Sequence, residues 1–205
     1  MNANEFFDGQ LSNHPVMGIF RGLSTARTIE LSKVAWQSGV SLIEVPIQTA
    51  DAQATLREVV AAGESGNHLV GAGTVTTPEL VQIAADAGAS FTVAPDVSTA
   101  VIEESIRLGL PHLPGVATST EIAKALRFGL TWQKMFPAAQ LGPAWARAQH
   151  GPFPQVNFVA TGGINASNAQ LFLDAGIRAV AVGSAFANPG QIALLAGLKS
   201  ERARS

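Results

Sequence analysis

Residues 174–183 read DAGIRAVAVG: a helix end, a glycine and an apolar β-branched run within ten residues. Variants of the same phrase stand at 37–45 (QSGVSLIEV), 86–94 (DAGASFTVA), 107–115 (RLGLPHLPG) and 127–136 (RFGLTWQKMF). In each, a glycine (Gly39, Gly88, Gly109, Gly129, Gly176) falls where a helix leaves its last turn in left-handed conformation, a geometry glycine adopts without steric cost. The run that follows is short and apolar, as a buried strand requires. Helix starts are as legible. Thr77-Pro78-Glu79 supplies an N-cap followed by proline at the first helical position, and Thr118 or Ser119 precedes Glu121.

Outward from these phrases, strand-like runs fall at about 16–20, 41–46, 69–73, 91–94, 111–114, 131–136, 156–161 and 179–183. One helix-sized segment separates each from the next. A repeat of roughly 20 to 28 residues suits βα units, and strict alternation argues for a parallel sheet. Eight such units predict an α/β fold of the (β/α)8 TIM-barrel type, with an extra N-terminal helix over Asn4–Leu11 placed to plug the barrel bottom. A doubly wound open sheet is the alternative. No linker or low-complexity tract interrupts the chain, so residues 1–205 are expected to form a single domain. The charged tail, KSERARS at 199–205, is expected to fray.

Composition removes several classes of function. Only 14% of the 205 residues are charged and the net charge is −2, which leaves no basic footprint for nucleic acid or an anionic membrane. The absence of cysteine excludes disulfides and thiolate chemistry and fits a reducing cytoplasm. The N-terminus lacks a basic segment followed by an apolar one, so no signal peptide is read there. Ala179–Leu198 carries no charge, yet Asn188-Pro189-Gly190 divides it into pieces too short to span a bilayer. The expectation is a cytoplasmic protein whose partner is a small molecule.

Barrels carry their chemistry at the C-terminal ends of the strands. Those ends hold Arg21, Glu44, Thr74, Pro95, Pro114, Lys134, Thr161-Gly162-Gly163 and Gly183-Ser184. Alternation puts Trp132, Lys134 and Phe136 on one strand face, with Gln133 and Met135 on the other. If the first face points inward, burial beside aromatics disfavours the ammonium, and a neutral amine can attack a ketone to form a Schiff base. The blander alternative is a structural lysine, paired with a carboxylate or reaching the rim. Glu44 lies among apolar neighbours, where a carboxylate is costly unless paired. It serves either as a buried partner of Lys134 or Arg21, or as a proton-transfer group. Thr161, Gly162, Gly163, Gly183 and Ser184 form a candidate anion cup, completed by a following helix N-terminus; two tight turns alone would also favour glycine. His14, His68, His112 and His150 are scattered without metal-ligand spacing, and no Gly-x-Gly-x-x-Gly fingerprint occurs, so neither metal nor cofactor is expected.

The pieces GIFRG (18–22), LIEVPIQT (42–49), GAGTV (71–75), LPGVATSTE (113–121), KMFPAAQLGP (134–143) and ATGGI (160–164) occur in this order across nearly the whole chain. In combination they resemble the family of 2-keto-3-deoxy-6-phosphogluconate and 6-phosphogalactonate aldolases. The resemblance implies a barrel assembled as a homotrimer and a metal-independent carbon–carbon lyase of the Entner–Doudoroff type. It implies Lys134 as the Schiff-base lysine and Glu44 as the acid/base group. Thr74 and Pro95 would line the pyruvyl end, Phe136 would be a pocket wall, and Gly162, Gly163 and Ser184 would hold phosphate. Arg21 would clamp the substrate carboxylate. Gln48 stands four residues after Glu44, where gluconate enzymes tend to carry arginine and the galactonate branch a shorter amide. The implied products are pyruvate and glyceraldehyde 3-phosphate. Alternatives are cleavage of 4-hydroxy-2-oxoglutarate or of unphosphorylated keto-deoxy acids, a sugar-phosphate epimerase or isomerase, and a non-catalytic sugar-phosphate-binding barrel.

Overall fold

The computed structural model describes residues 2–12 and 14–198; the charged tail lies outside them. Its strands are β1 (Val16–Ile19), β2 (Leu42–Pro46), β3 (Leu69–Gly73), β4 (Phe91–Val93), β5 (His112–Leu113), β6 (Gly115–Val116), β7 (Trp132–Met135), β8 (Asn157–Thr161) and β9 (Ala179–Val182). All pair in parallel, in the order β5-β4-β3-β2-β1-β9-β8-β7-β6. The two outermost members are consecutive in sequence and joined through Pro114, so the sheet curls into a barrel. Eight strands were expected and nine are found among the described residues because the fifth is divided at Pro114, which has no N–H to donate to a ladder. β5 pairs with β4, whereas β6 pairs with β7.

Helices α1 (Ala3–Leu11), α2 (Thr25–Gln37), α3 (Ala50–Glu64), α4 (Pro78–Asp86), α5 (Thr99–Arg107), α6 (Ser119–Leu126), α7 (Ala138–Leu141), α8 (Pro143–His150), α9 (Ala169–Leu173) and α10 (Pro189–Ala196) intervene. A 3-10 turn covers Ser184–Ala187. Ser24, Thr49, Thr77 and Thr118 cap helix starts, each accepting from the backbone N–H of the third helical residue. Gly39, Gly88, Gly109, Gly129 and Gly176 all take positive φ, between 69° and 89°, so the phrases read from the sequence are helix exits. Among the described residues, no helix is long and apolar enough to cross a membrane.

Two apolar layers follow from the alternation along the strands. Ile43, Val45, Val70, Met135, Phe158, Val180 and Val182 face the helices, where they meet Leu31, Leu56 and Ile122. Met17, Leu42, Phe91, Leu113, Trp132 and Val159 face the barrel interior. Helix α1 closes that interior from below, as expected. Phe7 is fully buried, with its ring centroid 5.9 Å from Phe91 and 6.2 Å from Trp132. Burying one such side chain contributes about 2–3 kcal/mol. Polar contacts fix the plug's register: Thr131 N donates to Asn4 Oδ1 at 3.0 Å, and Trp132 Nε1 donates to Asp8 Oδ1 at 3.1 Å.

The interior is filled by pairing large residues with absent ones. A Cβ at Gly71 would stand 2.4 Å from the Phe91 ring, so that ring occupies the volume a side chain on β3 would have taken. The lower interior is thus an apolar cluster of Phe7, Leu42, Phe91 and Trp132.

Candidate active site

β7 presents Trp132 and then Lys134 to the interior, while Gln133 turns outward and donates to Leu130 O at 2.9 Å. The amide of Lys134 donates to Pro114 O at 2.8 Å, so the divided strand still holds the lysine's backbone. Lys134 is only 3% exposed, and its Nζ lies 5.2 Å from the centroid of the Phe136 ring. Phe136 follows at the rim, 37% exposed, before a cis Phe136–Pro137 peptide.

β2 presents Leu42 and then Glu44. Glu44 is wholly buried and neither carboxylate oxygen has a hydrogen-bond partner. Burial pushes its carboxyl above the usual carboxylate range, opposed by the charges of Lys134 and Arg21. Space for the carboxylate comes from Gly73 on the neighbouring strand: a Cβ there would stand 1.7 Å from Glu44 Oε1. The two groups thus share one interior, with the Glu44 carboxylate orphaned and the lysine charge near enough to act on it.

Arg21, Gln48 and Thr74, from the ends of β1, β2 and β3, form one hydrogen-bonded strap. Arg21 Nη1 donates to Gln48 Oε1, and Arg21 Nη2 donates to Thr74 Oγ1 at 2.9 Å. Thr74 holds φ +57°, a left-handed conformation costly for a β-branched residue. Pro95 contributes backbone: a Cβ at Gly115 would stand 2.4 Å from the Pro95 carbonyl oxygen, so β4 and β6 approach closely there.

A cavity of about 540 Å³ opens above Lys134. It brings together Arg21, Lys134, Phe136, Thr161, Gly162, Gly163, Gly183 and Ser184. Glu44, Gln48, Thr74 and Pro95 are outside its lining, as the wholly buried Glu44 carboxylate, the strap and the β4 end already described. Gly162 and Gly163 have φ +95° and +74°, and a Cβ at Gly163 would lie 2.5 Å from Ala139 Cβ. Gly183 lets the chain pass within reach of Ile19 O, 2.5 Å from where its Cβ would be. One expectation changes: no α-helix starts directly after either glycine turn. α9 begins only at Ala169 and Ser184 opens a single 3-10 turn, so the groups presented beside the glycines are turn N–H groups rather than an α-helix N-terminus.

Sequence reasoning missed two contributors. Gly73 carries no signal without knowing which side chain lies opposite it. Arg27 lines the cavity from the first turn of α2, a position that reads as a solvated helix face. Among the described residues, no group of three or more His, Asp or Glu side chains is placed to hold a metal ion. His112 points outward from the barrel, where its Nδ1 bonds Thr92 Oγ1 at 2.9 Å and burial lowers its pKa to about 3.

By sequence, the chain resembles aldolases. The family model for KDPG and KHG aldolase matches residues 7–194. The 2-dehydro-3-deoxy-phosphogluconate aldolase of Treponema pallidum (strain Nichols) is 37% identical over 80% of this chain and 77% of its own. A probable 2-dehydro-3-deoxy-6-phosphogalactonate aldolase of Rhizobium meliloti (strain 1021) is 33% identical over 87% of this chain and 84% of its own. The crystal structure of the KDPG aldolase from Legionella pneumophila, with pyruvate captured as a covalent carbinolamine intermediate, superposes with a TM-score of 0.80. It is 28% identical and the match covers 93% of this chain and 96% of that one.

Proposed function

The chain belongs to the KDPG and KHG aldolase family, and we propose that Lys134 and Glu44 are its catalytic pair, cleaving a 2-keto-3-deoxy-6-phospho sugar acid to pyruvate and glyceraldehyde 3-phosphate. The observation that carries this reading is the burial of one amine and one unpartnered carboxylate in the same barrel interior, beneath a glycine-lined cavity.

The unprotonated Lys134 amine adds to the C2 carbonyl, and loss of water from the carbinolamine gives an iminium. As the C4 hydroxyl loses its proton, the C3–C4 bond breaks and its electron pair flows into the iminium. Glu44 takes that proton, directly or through one water. The aldehyde leaves, and the remaining enamine is protonated at C3. Water then hydrolyses the iminium, which releases pyruvate and restores the amine. A carboxyl held above its ordinary range by burial is a stronger proton acceptor than an exposed carboxylate and can return that proton later in the cycle. Arg21, held by Gln48 and Thr74, faces the substrate carboxylate; Thr74 and Pro95 shape the pyruvyl end and Phe136 forms the wall. Thr161, Gly162, Gly163, Gly183 and Ser184 receive the phosphate.

On this reading residues 1–205 act as one domain, in a cytoplasmic homotrimer of the Entner–Doudoroff type, which the motif resemblance supports. Similarity to relatives named for either epimer supports both the gluconate and galactonate acids as substrates, and cleavage rates on the two measure the preference.

The decisive experiment is borohydride trapping in the presence of pyruvate, read by intact mass and peptide mapping. The expected result is a reduced pyruvyl adduct on Lys134 that is absent from Lys134→Ala. A folded wild-type protein that forms no adduct at Lys134 would overturn the mechanism.

A further inference from the structure

Three cations line the cavity: Lys134, Arg21 and Arg27. Lys134 lies at the floor, and Arg21 is held by Gln48 and Thr74 on the β2–β3 side, where it faces the substrate carboxylate rather than the phosphate. The glycine turns at Gly162, Gly163 and Gly183 offer neutral N–H groups only. A phosphate near charge −2 therefore has no cation of its own at that end unless Arg27 supplies one.

We propose that Arg27 is the cationic contact for the distal phosphate and so sets the preference for phosphorylated over unphosphorylated substrates; this rests on the aldolase reading above. Arg27 stands in the first turn of α2, whose N-cap is Ser24, and Leu31 one turn later lines the same cavity. The turn Ser184–Ala187, which carries Ser184 of the cup, packs against α2. The helix that carries Arg27 is thereby packed against the turn that carries Ser184, while the Arg27 side chain lines the cavity and stays 40% exposed. Its partner is Glu30, one helical turn away, with Nη1 2.5 Å from Oε1 and Glu30 itself 61% exposed. A pair this exposed is weakly held, and a phosphate dianion offers more acceptor oxygens than one carboxylate. The remaining N–H donors of the guanidinium fork are available to the ligand. Glu30 keeps the arginine in place when the cavity is empty and releases it to the incoming phosphate.

The test compares wild type, Arg27→Ala and Arg27→Lys on a 2-keto-3-deoxy-6-phospho acid and on the same acid without phosphate. Arg27→Ala is expected to raise KM for the phosphorylated acid about tenfold, the size of one partly exposed charge-assisted contact, with kcat within about twofold. KM for the unphosphorylated acid stays where it was, and Arg27→Lys recovers part of the loss. Equal changes for the two acids, or no change for either, would overturn the proposal. Calorimetric titration with glycerol 3-phosphate separates this from the mechanism. If no variant or wild type traps pyruvate, the aldolase reading fails, while about tenfold weaker binding of glycerol 3-phosphate by Arg27→Ala still upholds the phosphate contact and unchanged binding still refutes it.

Discussion

Replacing Gly73 by alanine tests whether Glu44 must lie where the structure puts it. The new methyl would stand 1.7 Å from Oε1, against about 3.4 Å for ordinary contact, so the carboxylate must retreat by roughly 1.7 Å. Such overpacking costs about 1–3 kcal/mol of stability. A misplacement of about 1 Å in a reacting group lowers turnover about 100-fold, and that is the loss in kcat expected here. Pyruvate trapping at Lys134 should persist, because the three atoms nearest the new methyl all belong to Glu44. The informative assay is a cycle with Glu44→Ala. Once the carboxylate is gone, the methyl occupies vacant space and should cost little further activity. A coupling of about 2.7 kcal/mol, the equivalent of the 100-fold loss, is then recovered as non-additivity. Additive losses in the double variant would refute the idea that Gly73 acts by making room for Glu44.

Two pH experiments follow from the buried titratable groups. The raised carboxyl of Glu44 places the acid limb of the kcat profile above 4.5, and Glu44→Gln should abolish that limb together with most of the rate; a limb that survives in the variant assigns it elsewhere. Because the folded form of Glu44 binds its proton more tightly, the stability from this group is present below 4.5 and is lost as pH rises through the folded value. His112 has the opposite sign: its folded pKa is lowered to about 3 from 6.5, so its contribution is present above 6.5 and drains away as pH falls. That is a loss of about 5 kcal/mol across the window, at about 1.4 kcal/mol per unit. Denaturant melts of wild type and His112→Gln should diverge between pH 6.5 and 3; parallel curves would show that His112 does not titrate with unfolding.

Much of the scaffold can be read from local chemistry, because glycine after a helix and a cap before one are decided within a few residues. Lys134 and Glu44 are visible for a similar reason: a charge inside an apolar alternating run is anomalous whatever the fold. What escapes such a reading depends on register. Gly71 and Gly73 have meaning only once β3 is aligned with Phe91 and Glu44. The division of the fifth strand at Pro114 follows from which neighbour each half pairs with, a long-range property. Arg27 hides because a cation paired with Glu30 at i, i+3 is what any exposed helix shows. The late start of α9 escapes because Asn165 first ties its own turn, accepting from Ser167 and Asn168 N–H groups.

The strap at the rim also constrains how the site can change by mutation. Arg21 gives one nitrogen to Gln48 and the other to Thr74, so three strand ends share a single guanidinium. An arginine arriving at position 48 would remove the acceptor and bring a second cation against the first. Neither route of single substitutions between one arginine at 21 and one at 48 is smooth: the intermediate carries two repelling cations or none. The two placements are therefore coupled, and replacement at position 21 and replacement at position 48 should be strongly non-additive.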